Sequence, residues 1–189
     1  MAKQKQPVQL ILGPVPSALI ACGSTAEKNI ITLAWVGVVN SSPPMISAAV
    51  RPERHSHDLI RDSGEFTVNI PTAAQVEIAD GCGTLSGRDT DKFKRFSLTP
   101  VMGTLQHAPL IDECPISMEC LVEHTLSLGS HTVFIGRVVA TYVAPEITDG
   151  KGKIDFNRCR LLGFCSGRYL EAAPLNLSLG YTLKQKTEG

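Results

Sequence analysis

The chain has 189 residues, 43% apolar and 19% charged, a globular composition long enough to bury a core and unlike that of a disordered segment. Lys and Arg number 18 against 18 Asp and Glu, so nucleic acid is a poor partner and any anion site must be local. No stretch is apolar enough to span a bilayer, and the start, Met1 to Pro7, lacks the apolar run of a secretion signal, so a cytoplasmic chain without a membrane partner is expected.

Short β-branched runs broken by turn residues dominate the chain. Ile30 to Val39 reads as a strand closed by Asn40-Ser41-Ser42-Pro43-Pro44, and Met45 to Val50 as the next. Arg51 to His57 is dense in charge and leads into a short helix, Ser56 to Asp62, with Ser56 as its N-cap and Gly64 as its stop. Glu65 to Ile70 reads as a strand with Phe66, Val68 and Ile70 on one face. Helices are expected at Ala73 to Ala79 and Asp91 to Arg95, both short enough to depend on packing. Pro109 to Pro115 reads as a linker within the barrel. Ile116 to His124 alternates as a strand, Gly129-Ser130 turns the chain, and His131 to Val143 is apolar on both faces, as in a strand buried on both sides. These elements predict a mainly β chain, an antiparallel barrel with helical insertions, in a single domain over 1–189 with its core at about 10–172.

Several chemistries lack their signatures. Gly81-Cys82-Gly83 and Gly87 do not have dinucleotide-fold spacing, and no P-loop, H-E-x-x-H or G-x-S-x-G is present. Cys22, Cys82, Cys114, Cys120, Cys159 and Cys165 form no C-x-x-C pair, so no metal site is expected, and reduced thiols acting as small core groups are.

The chemistry concentrates at Arg51-Pro52-Glu53-Arg54-His55-Ser56. Two guanidiniums, a hydroxyl and the amides of a helix N-terminus are what a phosphomonoester needs. The competing reading is an ordinary charged turn in which Glu53 pairs with an arginine in solvent.

The ordered series Asn29 to Trp35, Pro43 to Ser47, Arg51 to His57 and Gly64 to Pro71, with Ser86-Gly87, Asp91-Lys92-Phe93 and Gly129-Ser130-His131, resembles the flavin-reductase-like FMN-binding split barrels. The match covers roughly residues 20 to 170. The resemblance implies a homodimer with FMN near the subunit interface. It implies that Thr32, Leu33, Ala34 and Trp35 line the isoalloxazine with backbone and hydroxyl hydrogen bonds, and that Ala48, Ala49 and Val50 form a strand edge facing the ring. Arg51, Arg54, His55 and Ser56 would surround the ribityl phosphate, while Ser86, Gly87, Asp91 and Lys92 would form a loop closing on the cofactor. Asn69 is a further candidate contact, and His131 would approach the ring or substrate side. Blander roles compete: Asp91 as a helix N-cap, Lys92 as a solvated charge, Asn69 as a turn-stabilising side chain.

The function so implied is an FMN oxidoreductase fed by NAD(P)H. The alternatives are a flavoredoxin-like electron carrier, reduced by another carrier protein and lacking its own NAD(P)H site, and a non-redox anion-binding or sensing barrel.

Overall fold

The computed structural model describes residues 1–175 and 177–184. Its strands are β1 (Val15–Pro16), β2 (Ala18–Gly23), β3 (Lys28–Leu33), β4 (Val36–Ser41), β5 (Pro44–Val50), β6 (Glu65–Ile70), β7 (Pro100–Val101), β8 (Leu110–Ile111), β9 (Ile116–Ser127), β10 (Thr132–Val143), β11 (Leu161–Cys165) and β12 (Arg168–Ala172). Helix α1 is His55–Ser63, α2 Val76–Thr84, α3 Lys92–Arg95 and α4 Tyr181–Lys184.

The main sheet has seven strands in the order β3-β2-β6-β9-β10-β5-β4, every pair antiparallel. Its two outermost strands, β3 and β4, are consecutive in sequence and joined only by Ala34-Trp35. So short a link forces the two ends of the sheet together, and the sheet curls into a barrel. The corner is tied to β5, where the Ala49 amide donates to the Trp35 carbonyl at 3.0 Å and extends the β4–β5 ladder by one residue. The expected single strand over Ile30 to Val39 is therefore two strands with a corner between them.

Strand β2, absent from the sequence reading, is central to the packing, and all six of its residues are buried. Ala18, Ile20 and Cys22 point into the barrel with Ile31, Ala48, Val50, Phe66, Val68 and Phe134. Leu19 and Ala21 point outward beneath Ala79 and Cys82 of α2 and Phe93 of α3. Leu59 and Ile60 of α1 join the barrel core. Burying a side chain of this size contributes about 1.5–3 kcal/mol, which is what holds so short a helix in place.

Helix α1 ends as expected: Gly64 takes a left-handed φ of 68°, and its amide donates to the Ile60 carbonyl at 2.9 Å. Its start differs, because the N-cap is Arg54 and Ser56 is buried inside the first turn. The second helix opens as a 3-10 turn over Ala73–Gln75, with Thr72 and Gln75 capping each other, and then runs on to Thr84. Gly81 and Gly83, poor helix formers, hide that extension from sequence inspection.

The outward polar residues of β6 and β9 are not solvated. The Glu119 carboxylate accepts from the amides of Thr104 and Leu105 at 2.8 and 3.1 Å, and from the hydroxyls of Thr104 and Tyr142 at 2.5 and 3.1 Å. Glu65 accepts from the His107 amide at 2.7 Å, and the Thr67 hydroxyl donates to the Pro109 carbonyl at 2.6 Å. The segment over residues 104–111 is thus zipped across this face, and Pro109 to Pro115 contains a strand rather than a plain linker. Strand β10 is fully buried only on one face of its first half, at Thr132, Phe134 and Gly136; Val139 and Tyr142 are exposed, against the expectation of two buried faces. Among the described residues no helix is long and apolar enough to cross a membrane.

Candidate functional site

Where β5 ends, the turn Arg51 to Arg54 leads straight into α1. A cavity of about 510 Å³ opens there, walled by Arg51, Glu53, Arg54, His55 and Ser56 on one side and by Leu85 to Arg88 on the other. Asn29, Ile31 and Lys92 form its floor. Two sequence segments, one expected at the phosphate and the other as a loop closing on the cofactor, line one cavity, although 29 residues lie between Ser56 and Ser86.

Lys92 is the informative member. It is 3% exposed, and its Nζ donates to the backbone carbonyls of Ile30 at 2.6 Å and Cys82 at 2.7 Å. It takes part in none of the ion pairs among the described residues. Burial lowers its pKa from the ordinary lysine value, and the charge on Arg54 acts in the same direction. A buried ammonium with one proton uncommitted, in a cavity shared with two guanidiniums, calls for an anion. The solvated-charge reading of Lys92 is wrong because α3 turns the side chain inward beneath β3.

The other groups divide by what they already bind. The Ser56 hydroxyl accepts from Asn29 Nδ2 at 2.8 Å, and His55 Nε2 lies 3.0 Å from Glu27 Oε2. Arg51 is exposed and pairs with Glu53 at 3.4 Å, a solvated contact worth about 0–1 kcal/mol and easily exchanged. Gly87 packs so closely on the Asn29 side chain that a Cβ there would collide with it. Asp91 is not among the residues lining the cavity: its carboxylate caps α3, accepting from the Lys94 amide at 3.1 Å, as in the N-cap reading.

Asn69 is likewise removed from the site. It is fully buried; its Nδ2 donates to the Leu19 carbonyl and the Thr67 hydroxyl, and its Oδ1 accepts from the Ile111 amide and the Ser117 hydroxyl. Every hydrogen-bonding position is used to hold β8 against the barrel, which leaves no atom for a ligand.

A second cavity, about 580 Å³ and largely apolar, lies where the barrel closes, lined by Ala34, Trp35, Ala49, Val133, Leu10 and Phe164 among others. Trp35 is half-exposed and stacks on His131, with ring centroids 4.2 Å apart. Burial lowers the His131 pKa, and the Arg51 charge lowers it further, so this stack lies within electrostatic reach of the cradle. Ile31 lines the anion cavity and Ala34 the apolar one, roughly 10 Å apart along an extended strand. Strand β3 pairs only with β2, so its other backbone edge has no strand partner.

Several side chains of the strands expected to line the ring are committed elsewhere. The Thr32 hydroxyl donates to the Ala79 carbonyl at 2.5 Å, so its proton is committed to α2. Leu33 packs against the barrel core. Ala48 pairs with Val36 and Phe134 on its two sides and is no sheet edge; Ala48 and Val50 are buried in the core, and of the three only Ala49 lines the apolar cavity. Asn29 and Arg88 were missed as site residues. Asn29 lay inside the matched series, just before the strand read over Ile30 to Val39, without a role of its own, and Arg88 carried no local signal.

A family model described as "Flavin reductase like domain" matches residues 13–172. An uncharacterized protein of Archaeoglobus fulgidus is 33% identical over 145 residues, covering 77% of this chain and 81% of its own. The FMN reductase (NADH) RutF of Stutzerimonas stutzeri is 25% identical over 142 residues, covering 75% and 74%. Among solved structures, flavoredoxin of Desulfovibrio vulgaris superposes with a TM-score of 0.88 at 29% identity, covering 95% of this chain and 98% of its own.

Proposed function

The chain belongs to the flavin reductase like family, and from that premise we propose that it is an FMN-binding oxidoreductase passing electrons from NADH or NADPH to a small acceptor or partner protein. The buried ammonium of Lys92, in no ion pair among the described residues and sharing a cavity with Arg51 and Arg54, carries the reading, because it suits the cavity to a dianionic phosphate. The α1 N-terminus directs partial positive charge at the same place.

FMN, when bound, supplies the two-electron chemistry. The polypeptide holds, orients and shields. Lys92, Arg54 and Arg51 fix the phosphate, with Ser56 held in place by Asn29. The outer edge of β3 offers backbone groups to a planar ring, and Trp35 with His131 covers the apolar cavity beside it. No acid–base pair is required, in agreement with the absence of a catalytic constellation from the sequence.

A homodimer completing the ring side is part of this reading. Trp35, Val38, Val39, Leu126 and Leu128 are exposed apolar side chains on or next to β4 and around the β9–β10 turn, an apolar surface that a second copy would cover. Free cysteines, five of the six buried, suit a reducing cytoplasm.

The flavoredoxin likeness favours a second reading, an electron carrier without its own nicotinamide site. Stopped-flow mixing of the FMN-loaded protein with NADH, NADPH or reduced ferredoxin separates the two. Bleaching by either nucleotide is expected. Bleaching by ferredoxin alone would reject the reductase in favour of the carrier, and a preparation that takes up no FMN would reject both.

A further inference from the structure

Arg88 joins the two walls of the anion cavity. Its Nη1 donates to the Glu53 carbonyl at 2.9 Å and its Nη2 stands 3.9 Å from the Asp58 carboxylate, tying the loop after α2 to the turn after β5. The loop itself is folded tightly, with the Ser86 hydroxyl accepting from the Arg88 amide and the Ser86 carbonyl from the Thr90 amide. Beyond it lies another cavity, about 930 Å³, that shares only Gly87 and Arg88 with the first. Gly87 and Arg88 therefore border both spaces.

The charges on the two sides differ. The first cavity sets Arg51, Arg54, Arg88 and Lys92 against Glu53 alone. The second sets Lys28, Arg88 and Lys94 against Glu27, Asp89 and Asp91, with Lys94 held 3.2 Å from Asp91. One side attracts an anion; the other is balanced.

Building on the FMN reading, we propose that Arg88 closes the cradle behind a terminal phosphate, so that the site selects the mononucleotide FMN over the dinucleotide FAD. A terminal phosphomonoester presents three acceptor oxygens and about −1.5 to −2 of charge at one end, which suits a cavity with a cationic surplus. In a dinucleotide one of those oxygens bridges to a second phosphate and an adenosine. An extension directed past the Arg88–Glu53 tie meets the Arg88 side chain and enters a space with no surplus of positive charge.

The test uses the full chain freed of flavin, equilibrated with riboflavin, FMN or FAD and read by the absorbance of the free flavin after ultrafiltration. The wild-type chain is expected to hold FMN at least about tenfold more tightly than FAD. In Arg88→Ala the ratio falls toward one, because loss of the side chain opens the first cavity onto a space of nucleotide size. Equal wild-type affinities for FMN and FAD, with riboflavin weaker, would overturn the selectivity and leave the cradle standing. Riboflavin held as tightly as FMN would sink the cradle as well. An unchanged ratio in a natively folded Arg88→Ala would overturn the role of Arg88, and the wild-type comparison does not depend on that variant folding.

Discussion

Replacing Lys92 by Met removes the ammonium while keeping an unbranched stem that fills the same space. Two effects on the flavin-free protein oppose each other. The carbonyls of Ile30 and Cys82 lose donors at 2.6 and 2.7 Å, each charge-assisted bond contributing about 1.5–3 kcal/mol. In return the cost of burying an unpaired ammonium, several kcal/mol, disappears. The two nearly cancel, and a residual of about 1 kcal/mol moves the melting temperature of a chain this long by about 2–4 °C. Phosphate binding has no such cancellation. Loss of one charged donor weakens FMN by about 1.5–3 kcal/mol, or roughly 10- to 150-fold in Kd. Equilibrium titration of the flavin-free protein with FMN and riboflavin, beside a thermal melt, measures both quantities. The loss should appear with FMN and not with riboflavin, which lacks the phosphate. FMN affinity within about threefold of wild type in a folded variant would refute the placement of the phosphate.

Gly87→Ala places a Cβ against the Asn29 side chain and should displace it from Ser56, destabilising the protein by about 1–3 kcal/mol in urea denaturation; an unchanged midpoint would show that the contact gives way freely. Glu119 supplies a pH dependence. Burial acts to raise its pKa, but the bonds from Thr104, Leu105 and Tyr142 outweigh burial and hold the carboxyl below its ordinary value of 4.5. A carboxylate depressed in the folded state stabilises it fully above the unfolded value, and that stability is lost as pH falls through the folded one. Glu119→Gln should therefore flatten the acid limb of a melting-temperature profile below about pH 5, and an unaltered limb would dismiss this carboxylate as the source. Trp35 is the only tryptophan and stacks on His131, so its emission reports the imidazole's charge. With the pKa lowered by burial and by Arg51, the emission change on acidification should have its midpoint below 6.5 and vanish in His131→Ala; a midpoint at or above that value would contradict the stack as described.

The strands that alternate or carry β-branched runs were readable from the chain because their pattern records the barrel's inside and outside directly, as at Glu65–Ile70. Strand β2 was not, since Ala18 to Gly23 is buried on both faces and so has no alternation to read. The corner at Ala34-Trp35 escaped for a related reason: composition does not change there, and only closure of the sheet bends it.

The anion cradle divides along the same line. Arg51 to Ser56 could be picked out because one turn places those groups side by side through local geometry. Asp91 and Lys92 are neighbours in sequence with opposite fates: Asp91 caps α3 at the surface, while Lys92 runs inward to a carbonyl 62 residues away on β3. Nothing in the local sequence distinguishes a solvated lysine from a buried one. The sequence by itself determined which residue types could hold a phosphate, since charge and donor chemistry belong to the residue. Only the tertiary structure decided which of them share a cavity, because burial and the pairing of Asn29, Arg88 and Lys92 with distant backbone depend on how the strands close.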